Sequence, residues 1–294
     1  MQRSPGRLVL IAVVLALVVA AAGVVLLNPF GNDTVTRRCI ADQPTTSATL
    51  SSDPRLTSLA RMLVASAENS SLDWEKQYGY IEYNVEGNAA ENRGYTGGIV
   101  GFTSKTHDML QLVRLYAKAA PDNPLARFLP ALADVDGTSS ANGLGDPFVT
   151  AWKQAARTPA FGQAQRDLAD SMYLRPAVET ARKDGLGRLG QFIYYDALVM
   201  HGPGDDPLSF GGIRAAAVEK ALPASAGGDE TAYLQAFIDA RRVAMKAERG
   251  HRDTSRLDAQ TSFLREQNLS LALPLSWSVY GDHYSIAAAG ASGC

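Results

Sequence analysis

The chain has 294 residues, of which 46% are apolar and 20% charged, and a formal charge of −2. That profile is of a globular protein long enough for one large domain or two lobes sharing a core. Its slight acidity disfavours nucleic acid as a partner and suits a cationic ligand.

Residues 1–27 differ from the rest. Arg3 and Arg7 precede an unbroken apolar run from Leu8 to Leu27, long enough to cross a bilayer as a helix. Ala20 to Ala22 also offers the small-x-small pattern of a signal-peptide cleavage site. Either reading exports the body, as a secreted protein or one anchored to the outer face of the cell membrane. Residues 28–54 are rich in Ser, Thr, Asp and Pro and read as a polar linker. The two cysteines, Cys39 and Cys294, either tie the C-terminus back to that linker or pair between molecules. Both lie in tail-like sequence, and neither is assigned to catalysis.

The domain proper, 55–294, opens with a helix expected over 55–67. Asp53 is its N-cap, Pro54 sits in its first turn, and Leu56, Leu59, Leu63 and Ala67 form its buried face. Glu68 closes it. There the helix dipole and apolar neighbours both oppose ionisation, the condition a general acid requires. The bland reading is a solvated residue at a helix end. Three further carboxylates follow, Glu82, Glu86 and Glu91. Two carboxyl groups facing each other across a groove are the minimum apparatus for cleaving a glycosidic bond.

Between Trp74 and Phe102, aromatic and β-branched residues separated by Gly and Asn predict two or three short antiparallel strands. Glycines 94, 97, 98 and 101 lack the spacing of a phosphate loop and predict close backbone packing instead. Beyond Thr103 the pattern is helical. Thr106 is a candidate cap for a helix that ends before Pro121. Others are expected over 125–135, 147–157, 160–173, 176–183, 186–201, 213–222, 230–249 and 254–267, followed by a coil with Pro274, Trp277 and Tyr280. The fold class is α+β, mainly α-helical, with one small antiparallel sheet near its start. Asp196, Arg241, Glu248 and Arg256 fall inside or beside apolar helices, and burial of such groups predicts a linked charge network. The four histidines show no metal-ligand spacing, and neither H-E-x-x-H nor G-x-S-x-G occurs, so no metal or organic cofactor is called for.

The runs SAENSSLDW (66–74), RGYTGGIVGF (93–102), GQFIYYDALVMHGPG (190–204), DPLSFGGIR (206–214), GGDETAYLQAFIDAR (227–241) and DTSR (253–256) resemble the bacterial chitosanases of glycoside hydrolase family 46. The resemblance implies a lysozyme-like, two-lobed fold with a cleft between the lobes. It also implies endo-hydrolysis of the β-1,4 links of chitosan, with inversion at the anomeric carbon; the chain itself is expected to be a monomer. By resemblance Glu68 takes the general-acid position. Glu91 takes that of the base, where the family has Asp, with Arg93 orienting the base and Thr96 holding the water. The loop 82–93 looks longer than usual, which makes Glu86 a rival base. Asp108 matches an amino-sugar position, and a carboxylate there favours cationic glucosamine over its neutral acetylated form. Glu82, Asn69, Tyr80, Tyr173 and His201 are further cleft candidates. The family's charged network falls on Asp196, Arg241, Glu248 and Arg256, while Arg252 stands where an acid is expected. The competing functions are a lysozyme-like hydrolase of peptidoglycan and a catalytically impaired chitosan-binding protein.

Overall fold

The structure is a computed structural model that describes residues 35–40, 47–85, 92–247 and 253–290. Its elements gather around two apolar cores, one per lobe.

Asp53 caps helix α1 (Pro54–Glu68) as expected, accepting from the Arg55 backbone N–H, and Leu56, Leu59 and Leu63 are buried. Trp74–Gly79, read as strand, is a 3-10 helix. The small sheet then forms from three antiparallel strands, Ile81–Tyr83, Tyr95–Gly97 and Phe102–Thr103, in that order. Its glycines serve close packing. A Cβ on Gly97 would stand 2.8 Å from the Tyr80 carbonyl and 2.9 Å from the Trp152 ring. Helix α2 (Asp108–Ala119) does not use Thr106 as its cap. His107 precedes it in the left-handed conformation, φ 72°, and Thr106 Oγ1 donates to Asp108 Oδ1 instead. Helices α3 (Leu129–Val135), α4 (Gly145–Ala155) and α5 (Pro159–Ala169) complete this lobe. Its core holds Phe102, Tyr116, Phe148, Trp152 and Phe161.

The stretches expected as separate helices over 160–173 and 176–183 are continuous. Helix α5 passes through one wide turn, Asp170–Leu174, into α6 (Arg175–Lys183). Phe161 and Leu168 belong to one core, Leu174 and Ala181 to the other, so that turn lies where the chain crosses between lobes. Arg61 of α1 donates to Asp170 there at 2.6 Å, and its guanidinium lies 4.9 Å from the centre of the Trp74 ring. Trp74 packs against both cores.

The second lobe is built from α1, α6, α7 (Arg188–His201), α8 (Phe210–Val218), α9 (Glu230–Ala247) and α10 (Ser255–Arg265). The segment expected to be coil near Trp277 is instead a hairpin, Leu275–Val279 with Asp282–Ala288. Its alternation of buried Leu275, Trp277 and Val279 with exposed serines is the period-2 signature of a half-buried strand. A further difference lies in the expected linker, where Val35–Ile40 pairs in parallel with Asp282–Ala288. Its partner strand lies at the other end of the sequence, and local composition carries no trace of that pairing. Cys39 in this strand is disulfide-bonded; Cys294 lies outside the described residues. So does the apolar run Leu8–Leu27. Among the described residues no helix is long and apolar enough to cross a membrane, and no described element supports the expected anchor.

Candidate active site

Glu68 is the last residue of α1, and the end of that helix is held firmly. Ser66, two residues earlier, donates to the Leu63 carbonyl at 2.7 Å and accepts from Trp277 Nε1 at 3.0 Å. Asn69 is the C-cap, its N–H bonded to the Ala65 carbonyl at 2.8 Å. Beside the helix dipole and the apolar neighbours expected around it, Glu68 meets a cation. Its Oε1 lies 2.6 Å from Nη1 of Arg256, and 34% of its side chain remains exposed, enough to meet a ligand.

Arg256 in turn joins Glu68 to the buried network. Its Nη2 is 2.8 Å from Asp196 Oδ1, its Nε 2.9 and 3.0 Å from the two carboxylate oxygens, and Arg241 Nη1 is 2.9 Å from Oδ2. Asp196 and Arg241 are essentially inaccessible. Burial would raise the Asp196 pKa, but the two guanidinium groups prevail and hold it at about 2. The expected linkage of Asp196, Arg241 and Arg256 is therefore present, and Glu248 lies outside the described residues. Gln260 was missed. It donates to Asp196 at 2.7 Å and accepts from Arg241 at 3.0 Å. The signal was available, since Gln260 lies four positions after Arg256 on one face of α10.

The facing lobe contributes its small sheet. Glu82 sits directly opposite Thr96 in the antiparallel register, which puts both side chains on one face. Tyr80 donates its hydroxyl to Glu82 at 3.1 Å. Thr96 Oγ1 is buried with no hydrogen-bond partner among the described residues, the condition of a group kept for a water or a substrate. Arg93 precedes Gly94, which is folded back at φ +72° while its N–H bonds to Asn92 Oδ1 at 2.9 Å. Glu91 and Glu86, the two candidate bases, lie outside the described residues, as does Arg252.

Asp108 is buried at the first turn of α2. Its Oδ1 accepts from the Thr103 N–H (2.7 Å), Thr106 Oγ1 (2.9 Å) and the Met109 N–H (3.1 Å). Burial nonetheless raises its pKa, and these donors only partly offset the effect. Tyr173, on the wide turn between α5 and α6, is where the two lobes meet electrostatically. Burial first, then the negative charge of Asp108, push its phenol up to about 12, Arg93 opposes them, and Glu68 adds to them. One phenol thus senses Glu68 from one lobe and Arg93 and Asp108 from the other. His201 ends α7, partly buried, before Gly202 turns the chain at φ +68°.

A carboxyl group tied to a buried charge network in one lobe and polar groups from a small sheet in the other can protonate a leaving group and orient a nucleophile. Residues 62–275 match the model of glycosyl hydrolase family 46. A chitosanase from a Streptomyces species is 55% identical over 235 residues, 80% of this chain and 83% of that protein. The chitosanase OU01, solved with substrate, is 54% identical and superposes with a TM-score of 0.75 over 81% of this chain and 98% of that one. A chitosanase of Gynuella sunshinyii in complex with chitotetraose is 30% identical, with a TM-score of 0.70 over 78% of this chain and 96% of that one. The two-lobed, mainly helical, lysozyme-like architecture is thus a shared one, and the chain belongs to glycosyl hydrolase family 46.

Proposed function

We propose that this protein is an endo-chitosanase that cuts β-1,4 links between glucosamine units with inversion. The observation that supports it best is the 2.6 Å contact of Glu68 with Arg256, which holds a partly exposed carboxyl group at the end of α1 in a chain of this family. Glu68 protonates the departing glycosidic oxygen. Glu91 takes a proton from a water on the other ring face, with Arg93 orienting it and Thr96 Oγ1 holding the water; Glu86 is the alternative base.

The Arg256 contact bears on this role. An acid that cycles between charged and neutral would strand a buried cation if it were that cation's sole partner, at a cost of several kcal/mol. Arg256 keeps three contacts of 3.0 Å or less to Asp196, so its charge stays compensated while Glu68 carries a proton. Asp108, buried beside the cleft phenol, supplies the negative charge that a protonated amine seeks and a neutral acetamide does not. Glu82, Asn69, Tyr80 and His201 complete the proposed substrate contacts.

Proton NMR of products formed in the first minutes on chitosan tests the reading. Inversion predicts α-anomers at the new reducing ends. Fresh β-anomers would refute the acid and base pairing, and an absence of reducing ends would refute hydrolysis itself.

A further inference from the structure

The hairpin of the second lobe carries a residue that its own backbone disfavours. Val279 pairs with Asp282, leaving Tyr280 and Gly281 as a two-residue loop, and both have positive φ, 53° and 87°. Such a loop suits Asn, Asp or Gly at its first position, because a bulky side chain in the left-handed region crowds its own carbonyl. Asn-Gly would close this hairpin without strain; the chain uses Tyr-Gly. A strained residue kept where an unstrained one serves folding equally well points to function.

The tip is also held in one place. The Tyr280 N–H donates to Ser255 Oγ at 2.9 Å, and the next residue of α10 is Arg256. Beneath it Trp277 bonds to Ser66, two residues before Glu68, and Val279, Ser66 and Arg256 border one small cavity. The phenol is partly desolvated, which raises its pKa, and it senses the charges of Arg256, Glu68 and Asp196 in that order. Yet Tyr280 keeps 39% of its surface exposed. The backbone that carries this ring is thus held beside the residue preceding Arg256, the contact of Glu68, and the ring stays partly open to solvent.

We propose that Tyr280 is a substrate-binding residue, its ring forming a platform on which a sugar unit next to the scissile bond lays its apolar C–H face. This rests on the reading of Glu68 as the acid. Strain relief separates the ring's role from the turn's. Tyr280→Asn removes the platform while giving the loop a favoured residue, and Tyr280→Phe keeps the platform. With a glucosamine hexamer as probe, Tyr280→Asn is expected to melt no lower than the parent, to raise KM about tenfold, and to change which bonds are cut. Tyr280→Phe is expected to keep the parent's KM and products. Should Tyr280→Asn fold poorly, Tyr280→Gly carries the same test, since glycine also suits the loop. A parent-like KM and product pattern in the variant lacking the ring would overturn the assignment, as would a Phe variant impaired as fully as the Asn one. Glu68→Gln run in parallel keeps the two readings apart. Its full turnover would refute the acid, whereas an inactive Glu68→Gln beside an unaltered Tyr280→Asn would refute the platform alone.

Discussion

Arg256 Nη1 stands 2.6 Å from Glu68 Oε1, and the same guanidinium is anchored by its other nitrogens to the buried carboxylate of Asp196. The proposed acid is thereby positioned by a buried group that is itself bonded to Asp196, and the contact geometry makes the two residues a unit. Lysine keeps the charge but has no planar fork with which to reach both carboxylates. Arg256→Lys is accordingly expected to lower kcat at least tenfold, with KM for chitosan changed far less, when steady-state rates are compared with the parent.

Asp196 neutralises Arg241 and Arg256 from an inaccessible position. Asp196→Asn leaves two buried guanidinium groups short of charge, and breaking a buried pair in this way costs about 3–5 kcal/mol. Urea denaturation should show that loss as a lowered midpoint with an unchanged slope.

The same carboxylate sets an acid limit. Its folded pKa of about 2 lies below the ordinary value of 3.8. The stabilisation it gives is therefore complete above about pH 4 and lost as pH falls through the folded value, about 2 kcal/mol in all. Melting temperatures measured from pH 5 to pH 2 should fall in that window, and the Asp196→Asn variant should show a flatter profile.

Much of this was legible in the sequence. The α1 boundary announced itself through Asp53 and Pro54, and the three-stranded sheet through its glycines and aromatics, because those signals are local. The charge network followed from Asp196, Arg241 and Arg256 lying among apolar residues. The pairing of Val35–Ile40 with the C-terminal hairpin was not legible, since it joins the two ends of the chain. Nor was the Glu68 to Arg256 contact, for the helix-end reading weighed only neighbours in sequence. The hairpin itself was obscured by Pro274 and by a strand of only five residues, Leu275–Val279, too short for alternation to stand out.

Asp108 offers a further test, because its Oδ1 already serves three donors from its own lobe. Asparagine retains that acceptor and loses the charge. Asp108→Asn should fold, raise KM for fully deacetylated chitosan several-fold, and narrow the preference over acetylated polymer. With the parent, burial places ionisation of Asp108 above the usual carboxylate range, so affinity for the cationic polymer should rise with pH through that step as the charge appears.

Gly94 governs the approach of Arg93. Its φ of +72° disfavours any side chain, and a Cβ there would collide with Ser104 Oγ. Gly94→Ala is expected to cost more than about 1 kcal/mol of stability and to reduce kcat, as thermal melts and initial rates would show.

The central claim is that Glu68 gives the proton. Chitosan turnover by Glu68→Gln, measured beside its melting curve, addresses it most directly. A loss of roughly a thousandfold in kcat is predicted, with a melting temperature within about 3 °C of the parent. Turnover within tenfold of the parent from a folded Glu68→Gln would contradict the claim.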